Sequence, residues 1–497
     1  MNSESVDMNL IKFHYFPRTL NFSEADRNGA RIADGSLTNS ALSRGIVDTV
    51  YVADDGHYEG FVDEAAGSQF TILHTSAMTS STFDSFEAVA LVSITQFARA
   101  ALWRQHLPFT LPICALVHSI PSEQLIPLYL AALALARPYD RVVVSSSAGR
   151  EAITNIFGQC ATLLGGSHTA QSRIPIADLA LPVEDRAYRC SDKHYARHMF
   201  GIPEDATVFL YFGRLTAGYK ADLEPMIRAF ADASERSNAV LLIAGHEQEH
   251  GYLKTIRECI TLLALSHKVK IIPNSPDYVK EVIYAAADVF VAPSDNVQET
   301  YGLALVEAML SSLPVIATDW SGHRDIVAHE ETGFLVDTWI DNSEKSEMAL
   351  MATLGREFKF EGYMAERTFF DVEGMCDAMR LFIEEPATQI RMGAAGRQRA
   401  KALFSADVLM PKFQSMWEEQ LSQAKGSLQD YTRIDIPSAF ASFSRSSRTL
   451  GDLKIIAATD GAINGEIPAP RYSELIKKKK ATAQMRRSIK SGVSRLQ

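Results

Sequence analysis

The pattern of apolar and polar residues divides the second half of the chain into short β-branched or aromatic runs separated by amphipathic stretches. Such alternation is typical of βαβ units, in which parallel strands form one sheet with helices between them. The runs predict strands at residues 208–212, 240–244, 269–272, 289–292, 314–317 and 334–336. We therefore expect an α/β domain with a parallel sheet in this half of the chain.

The first half of the chain has a weaker pattern. Its apolar runs predict buried strands at residues 70–74, 113–117 and 142–144, and residues 86–103 predict a helical stretch between them. A second sheet domain is therefore expected here. The polar and charged stretch 186–203 is the predicted linker between the two domains.

The composition of residues 387–423 predicts helices that pack against the body of the protein. With these helices, the patterns divide the chain into four parts. We place an N-terminal domain at 1–195, a second domain at 196–385, the packing helices at 386–424 and an extension at 425–497.

Composition agrees with this organisation, because 497 residues with 46% hydrophobic and 22% charged side chains suffice for two domains of ordinary size. The five cysteines form no CxxC pair, so we interpret them as small buried residues in a reducing compartment. No secretory signal is recognisable, and the longest apolar run, 125–136, is too short to cross a membrane. We expect a soluble, cytoplasmic protein.

The net charge of -11 is spread unevenly along the chain. From residue 425 to the end there are 14 Lys and Arg against 6 Asp and Glu, so the body is strongly acidic. An acidic body argues against nucleic acid as a partner. The basic tail is suited to peripheral contact with an anionic membrane at its inner face, and the alternative is a solvated tail without that role.

Glycines, prolines and polar residues follow the predicted strands of the second half, at 213–220, 245–246, 273–275, 293–301 and 318–322. Open parallel sheets bind their ligands at the carboxyl ends of the strands. The candidate chemistry is therefore expected along this edge.

Glu307 lies on the helix LALVEAML, which is apolar on nearly every side. Burying an unpaired carboxylate costs several kcal/mol, so Glu307 needs a partner. A vicinal diol such as a ribose offers two O–H donors to its two oxygens. The alternatives are an ordinary salt bridge or a glutamate that reaches the surface.

The same helix begins directly after Gly302, so its free N–H groups face the loop 298–302 and predict an anion site suited to a phosphate. A plain glycine turn into a helix is the alternative. In the loop GRLTAGYK, Arg214 and Lys220 follow the first strand of this half and are suited to hold a diphosphate. The loop does not have the spacing of a Walker A motif.

Together these features resemble the donor half of glycosyltransferase family four, a family of retaining GT-B enzymes. The resemblance rests on the order GRxxxxxK and then VAPSDNVQETYGLALVEAMLSSLPVIATDWSG, in which Glu299 and Glu307 are separated by seven residues. It is close over residues 208–336 and looser as far as residue 404. It implies two Rossmann-like α/β domains that face a central cleft, with residues 1–195 binding the acceptor, residues 196–385 binding the donor, and a basic C-terminal extension.

The resemblance also implies roles for individual residues. It assigns the ribose to Glu307, the hexose to Glu299, the phosphate to the backbone amides of Tyr301, Gly302 and Leu303, and the diphosphate to Arg214 and Lys220. The base would lie near Pro273, Asn274 and Ser275, and His118, in ALVHSIP, resembles the histidine that lines the sugar pocket. Gly35, in ADGSLTNSAL, resembles a glycine of the interdomain loop near the phosphates.

The sequence departs from the commonest pattern of this family at three places. Ala221 and Ser312 stand where glycine is usual, and the segment DWSGHRD, with Asp325 in the acidic position, replaces the more frequent double-glycine form. Neither of the two glycine replacements removes a charge. The third departure bears on the sugar specificity.

The sequence therefore predicts transfer of a hexosyl group from a nucleoside diphosphate sugar to a hydroxyl, with retention of the anomeric configuration. The nucleotide sugar is a co-substrate, so no cofactor and no metal are expected. Alternatives are a nucleotide-sugar epimerase, a sugar phosphorylase, or a paralogue that binds without turnover. The predicted acceptor is a saccharide, a lipid-linked oligosaccharide or another hydroxyl compound, as in polysaccharide or glycolipid synthesis.

Overall fold

The computed structural model describes residues 8–12, 29–52, 71–74, 87–105, 107, 109–120, 125–165, 174–185, 192–276, 279–343, 359–425 and 427. Within these residues the chain builds two parallel sheets, one in each half, and packs helices against both faces of each. The fold is thus two Rossmann-like α/β domains, as the sequence predicts. The basic tail predicted at 425–497 lies almost wholly outside the described residues.

The first sheet contains seven strands: β1 Asn9–Lys12, β2 Thr49–Val52, β3 Thr71–His74, β4 Ala88–Ser93, β5 Ile113–Leu116, β6 Arg141–Val144 and β7 Ile176–Asp178. They are parallel and stand in the order β3-β2-β1-β4-β5-β6-β7. The chain therefore winds outward in one direction from β1 and then in the other from β4. The helices of this half are α1 Gly29–Ser43, α2 Phe97–Arg104, α3 Leu125–Leu135 and α4 Ser147–Leu163.

The helical stretch predicted at 86–103 is wrong in its first part. Residues 88–93 form β4, the strand between β1 and β5, and only α2 after it is helical. The run AVALV is buried on both faces of the sheet, with every residue at most 2% exposed. A strand covered on both faces is a continuous apolar run, and periodicity cannot separate such a run from a buried helix.

The second sheet contains six strands: β8 Thr207–Phe212, β9 Ala239–Gly245, β10 Val269–Pro273, β11 Val289–Ala292, β12 Val315–Thr318 and β13 Gly333–Val336. All six predicted strands are confirmed to within one residue at each end. They are parallel, in the order β10-β9-β8-β11-β12-β13, so β8 and β11 are neighbours at the centre of the sheet.

The helices of the second half are α5 Lys193–Phe200, α6 Glu224–Ala233, α7 Tyr252–Leu262, α8 Lys280–Ala286, α9 Leu303–Leu310, α10 His323–Ile326, α11 Lys359–Ala365 and α12 Val372–Glu384. A two-stranded antiparallel sheet, β14 Thr338–Ile340 and β15 Thr368–Phe370, lies among them. Helices α13 Pro386–Leu403 and α14 Ala406–Lys425 follow.

The linker predicted at 186–203 contains a helix, α5. Asp192 accepts a hydrogen bond from the His194 amide at the start of α5, and Gly201, with φ 59°, ends it. Arg197 of α5 pairs with Asp288 at 2.6 Å and ties the helix to the second sheet. Residues 186–191 of the predicted linker lie outside the described residues.

Helix α14 returns to the first half of the chain. Phe413 and Trp417 are fully buried in the apolar core that also contains Leu10 of β1. Gln420 donates hydrogen bonds from its amide nitrogen to the carbonyl oxygens of Ile113 and Tyr139, both at 3.0 Å. The last helix therefore ties the two halves together, while the domain boundaries themselves stay predictions.

Four cysteines, Cys114, Cys160, Cys259 and Cys376, are buried free thiols, which fits the interpretation of them as small core residues. Cys190 lies outside the described residues. Among the helices described, none is both long and apolar enough to span a bilayer.

Candidate active site

The crevice between β8 and β11 lies at the centre of the second sheet. Helical connections leave these two strands towards opposite sides, which makes their carboxyl ends the topological switch point where such sheets bind ligands. The loop after β8 carries Arg214 and Lys220, and the loop after β11 carries Glu299. The fold thus brings these three predicted residues to one place.

Lys220 and Glu299 form an ion pair across this crevice, with 23% and 10% of their side chains exposed. Burial alone would raise the pKa of Glu299, but Lys220, His323 and Arg214 together outweigh burial and lower that pKa to about 2. Glu299 is therefore ionised and holds the Lys220 ammonium at the switch point.

Arg214 adds a second positive charge to the crevice. Its guanidinium donates to the Gln248 side chain at 3.0 Å and to the Tyr219 carbonyl at 3.1 Å. Burial lowers the pKa of Arg214, and the nearby Glu299 carboxylate opposes that shift. With Lys220, the crevice can present two cations to one anionic ligand.

Gly302 directly precedes α9 and has a backbone conformation that favours glycine, with φ 112°. A Cβ at this position would lie 3.2 Å from Cδ2 of His323. The Leu305 amide donates to the Gly302 carbonyl at 3.0 Å, and the amides of Leu303 and Ala304 precede the first hydrogen bond of α9, at the end of the loop that carries Glu299. The Tyr301 side chain is used structurally, since it is buried and its hydroxyl donates to the Leu181 carbonyl at 3.3 Å.

Glu307 is buried, as predicted, and its partners in the structure are protein side chains. Oε1 lies 2.5 Å from Nζ of Lys280, and the Tyr284 hydroxyl lies 3.3 Å from Oε2. The Lys280 ammonium also sits 5.3 Å from the centre of the Phe212 ring. The alternative of a salt bridge, left open from the sequence, is thus present here.

Sequence reasoning missed Lys280. The signal available was indirect: Lys280 and Tyr284 are four residues apart, so they share one face of α8, and a buried Glu307 required a cation nearby. Only the fold shows that this face of α8 is the one that meets α9.

His118 follows β5 of the first sheet, and its carbonyl accepts a hydrogen bond from the Thr300 hydroxyl at 3.0 Å. Thr300 is the residue after Glu299, so the first half of the chain contacts the donor loop at this point. The fold therefore brings His118 beside the loop that carries Glu299.

Gly35 was expected in a loop, and this expectation is wrong, because Gly35 lies inside helix α1. Leu37 and Ala41, four residues apart on α1, are fully buried in the core of the first half. Their packing outweighs the helix penalty of glycine, which is about 1 kcal/mol. Among the described residues, no atom lies within 4 Å of the position that a Cβ of Gly35 would take.

Pro273 ends β10 and Asn274 and Ser275 follow it, two strands away from β8. Asn274 has a positive φ of 52°, and its amide donates to the Gly245 carbonyl at 2.8 Å. Its side-chain oxygen accepts from the Glu247 amide at 2.9 Å. This turn is thus fixed against the loop after β9, on the same edge of the sheet.

Asp325 joins the two halves of the chain. Its two carboxylate oxygens accept from the amide and the hydroxyl of Ser147, each at 2.7 Å. Ser147 is the first residue of α4, so the carboxylate meets the positive end of a helix of the other half. The sequence indicated only that Asp325 belongs to an unusual segment.

The donor half of the chain is similar to known glycosyltransferases in sequence. Residues 192–352 match the family described as "Glycosyl transferases group 1". An uncharacterized glycosyltransferase of Methanocaldococcus jannaschii is 35% identical over 140 residues, which are 28% of this chain and 34% of that protein. The D-inositol 3-phosphate glycosyltransferase of Streptosporangium roseum is 28% identical over 205 residues, 40% of this chain and 43% of that one. The alignments therefore span less than half of these curated relatives.

Solved structures resemble a larger part of the chain. HepE of Anabaena, solved in complex with UDP and glucose, has a TM-score of 0.58 at 16% identity and covers 82% of this chain and 99% of its own. Sucrose-phosphate synthase of Thermosynechococcus elongatus has a TM-score of 0.56 at 16% identity, with 84% and 100% covered. The fold is that of GT-B glycosyltransferases, and residues 192–352 are similar to the group 1 glycosyl transferases.

Proposed function

We propose that this protein is a retaining glycosyltransferase, which moves a hexosyl group from a nucleoside diphosphate sugar to a hydroxyl acceptor. The observation that carries the proposal is the cluster of Arg214, Lys220 and Glu299 at the switch point of a group 1 glycosyl transferase domain. The start of α9, directly after Gly302, lies on the same loop as Glu299. Two cations and a helix N-terminus around one crevice suit a diphosphate.

In this proposal the diphosphate lies between the loop after β8 and the start of α9. Arg214 and Lys220 neutralise the charge that grows on the diphosphate as it leaves, and the amides of Tyr301, Gly302 and Leu303 bind its oxygens. Such fixed charges act most strongly where water is excluded. Lys220 would exchange its contact with Glu299 for one with the diphosphate.

The nucleoside would extend from the diphosphate along the sheet edge. Glu307 binds the ribose hydroxyls, with Lys280 and Tyr284 orienting its carboxylate. The base lies towards the turn of Pro273, Asn274 and Ser275. The hexose lies on the other side of the diphosphate, between Glu299 and His118, where the halves of the chain meet.

The proposed reaction proceeds on one face of the sugar. The acceptor oxygen forms a bond to the anomeric carbon, the bond from that carbon to the diphosphate breaks, and the acceptor proton passes to the departing diphosphate oxygen. No carboxylate of the protein acts as a nucleophile in this scheme. Catalysis then consists of positioning and electrostatic stabilisation, and we propose that neither a metal nor a cofactor is needed.

The names of the relatives guide the choice of substrates. HepE is named with UDP, glucose and UDP-glucose, and the relative from Streptosporangium roseum is named for D-inositol 3-phosphate. We therefore propose a uridine diphosphate hexose as the first donor to test. The proposed acceptor is a hydroxyl of a saccharide or of a lipid-linked saccharide, and the basic tail would contact an anionic membrane surface at the inner face of the membrane.

Thermal unfolding with a panel of nucleotide sugars tests this function. UDP-glucose, UDP-N-acetylglucosamine, GDP-mannose and glucose 1-phosphate are compared, and a ligand at 100 times its Kd should stabilise the protein by about 2.7 kcal/mol. Glu307→Gln should weaken binding, whereas Glu258→Gln, on the exposed face of α7, should not.

The outcome of the panel separates the candidate activities. A response to glucose 1-phosphate alone would indicate a phosphorylase, and conversion of a nucleotide sugar without an acceptor would indicate an epimerase. Binding with neither transfer nor conversion would indicate a paralogue without turnover. If no nucleotide sugar stabilises the protein, the proposal is wrong.

A further inference from the structure

His323, the first residue of α10, is completely buried. Its Nδ1 lies 3.2 Å from the carbonyl oxygen of Thr318. The Thr318 hydroxyl also lies 3.4 Å from Nδ1, but it donates its hydrogen to the Ser294 carbonyl at 2.7 Å. A carbonyl oxygen can only accept, so we assign the hydrogen to Nδ1, which leaves Nε2 of the neutral ring with a lone pair and no hydrogen. Nε2 is buried and has no hydrogen-bond partner among the described residues. Leaving a buried acceptor without a partner is costly, which indicates a role for it.

The imidazole of His323 lies against the candidate phosphate site. A Cβ on Gly302 would lie 3.2 Å from Cδ2 of His323 and 3.5 Å from Nε2. Gly322 directly precedes His323. A Cβ on Gly322 would lie 2.5 Å from the carbonyl oxygen of Tyr301 and 2.8 Å from that of Thr300. The loop before α10 and the loop before α9 are therefore packed backbone to backbone, with the unpartnered edge of the ring at their contact.

Three charged groups face His323, each from a different loop: Glu299, Lys220 and Asp319. Asp319 is paired with Arg324, at 2.7 Å, and Glu299 is paired with Lys220. Burial lowers the pKa of His323 to about 4, with Glu299 opposing and Lys220 reinforcing that shift. Burial therefore keeps the ring neutral in this state, and the Lys220 ammonium, which is paired with Glu299, reinforces that effect.

We propose that binding of the sugar-nucleotide donor places a proton on Nε2 of His323. The inference rests on the proposed function, since the diphosphate is the group that draws Lys220 away from Glu299. Once Lys220 contacts the diphosphate, Glu299 and the diphosphate together present more negative charge to His323. The lone pair of Nε2 then binds a proton from solvent, and the imidazolium stays anchored to Thr318 through its Nδ1–H.

The proton uptake can be counted by calorimetric titration with UDP-glucose at pH 6.5 in two buffers of different ionisation enthalpy. UDP-glucose is suitable because its diphosphate is esterified at both ends and does not titrate near neutral pH. We expect uptake approaching one proton per molecule bound. Within the range of uptake, the affinity should strengthen by up to tenfold for each unit by which the pH is lowered.

Two variants test whether His323 is the group that binds the proton. His323→Asn keeps an amide donor towards Thr318 but cannot titrate, so it should bind UDP-glucose without proton uptake. His267→Gln is the matched control, because His267 is exposed between α7 and β10, at the opposite end of the sheet. It should take up protons as the wild type does.

A measurement on the wild type keeps the inference testable if His323→Asn does not fold. With ¹⁵N-labelled histidine, the Nε2 resonance of His323 should move from the unprotonated to the protonated range when UDP-glucose is added. Binding without uptake, or uptake that persists in His323→Asn, would overturn this inference alone. If no nucleotide sugar of the panel binds, the proposed function falls as well.

Discussion

The Lys280 ammonium lies 2.5 Å from the Glu307 carboxylate, and the two side chains are only 20% and 10% exposed. Tyr284, one turn along α8 from Lys280, adds a hydroxyl at 3.3 Å from the second carboxylate oxygen. The buried charge of α9 is therefore compensated by a neighbouring helix before any ligand binds. A ribose at Glu307 would add to this arrangement rather than complete it.

Removing Lys280 should destabilise the fold, because Glu307 would keep a buried charge without its cation. We expect Lys280→Met to lower the free energy of unfolding by about 1–3 kcal/mol, measured by urea denaturation. The double variant Lys280→Met with Glu307→Gln should recover most of the loss. As a control, Arg228→Met breaks an exposed pair with Glu224 on α6 and should change nothing measurable. If Lys280→Met and Arg228→Met lower the free energy of unfolding equally, Lys280 does not compensate a buried charge.

Much of the donor half was predictable from the sequence, because its strands are short β-branched or aromatic runs, four of which end in or are directly followed by glycine or proline. The run at 88–93 was not, since it is apolar throughout and only its place between β1 and β5 makes it a strand. Gly35 was misplaced for a related reason, because packing of Leu37 and Ala41 decides the helix. Local pattern cannot report such tertiary packing.

The site divides in the same way. Arg214 and Lys220 were recognisable because their loop follows a strand, and parallel strands bring such loops to one edge, whereas Glu299 was recognised only through the family resemblance. Lys280 and His323 were not, since each acts on a partner from a different segment of the chain. The sequence indicated a need, a partner for Glu307, but not which side chain meets it.

The stability of the protein should depend on pH through Asp295. Burial raises the pKa of Asp295 to about 8, and its Oδ2 accepts from the Asp222 amide at 3.0 Å while Oδ1 has no partner among the residues described. The unfolded chain loses this proton near pH 4. The folded form thus holds the proton longer, so the contribution of Asp295 is full below about pH 4 and falls as the pH rises to about 8.

Asp295→Asn should remove that pH dependence. Between pH 5.5 and 8.5 the free energy of unfolding should fall by on the order of 3 kcal/mol more in the wild type than in the variant, since each pKa unit corresponds to about 1.4 kcal/mol. Urea denaturation at the two pH values measures this difference. Asp377→Asn, on the exposed side of α12, should keep the wild-type slope. Parallel pH profiles of Asp295→Asn and the wild type would refute the assignment.

Gly302→Ala should disturb both the fold and the phosphate site. With φ 112° an L side chain is strained, and its Cβ would press on His323 at 3.2 Å, so we expect a loss of about 1–3 kcal/mol in the free energy of unfolding. The Michaelis constant for the nucleotide sugar should rise as well, because the first amides of α9 would shift. Gly362→Ala, in α11, should change neither quantity, because no atom of the described residues lies within 4 Å of the position of its Cβ. An unchanged Michaelis constant would count against the phosphate site.

Lys220→Met should reduce turnover by about 10²–10³-fold, since a preorganised charge that stabilises a leaving group contributes on this scale. Initial rates with saturating nucleotide sugar measure the effect. Lys254→Met is the control, because Lys254 is 80% exposed on α7. If the rates of both variants match the wild type, Lys220 does not act on the leaving diphosphate.

The contact between Asp325 and Ser147 should hold the two halves of the chain together around the crevice. Both carboxylate oxygens are used, at 2.7 Å each, and one bond comes from the backbone at the start of α4. Asp325→Ala removes both bonds, whereas Ser147→Ala removes only the hydroxyl bond and keeps the amide. Because the contact is partly exposed, we expect Asp325→Ala to lower the free energy of unfolding by about 1 kcal/mol and Ser147→Ala to lower it by less. In small-angle scattering, the radius of gyration should increase more in Asp325→Ala than in Ser147→Ala. A smaller or unchanged radius in Asp325→Ala would show that other contacts set the separation of the two halves.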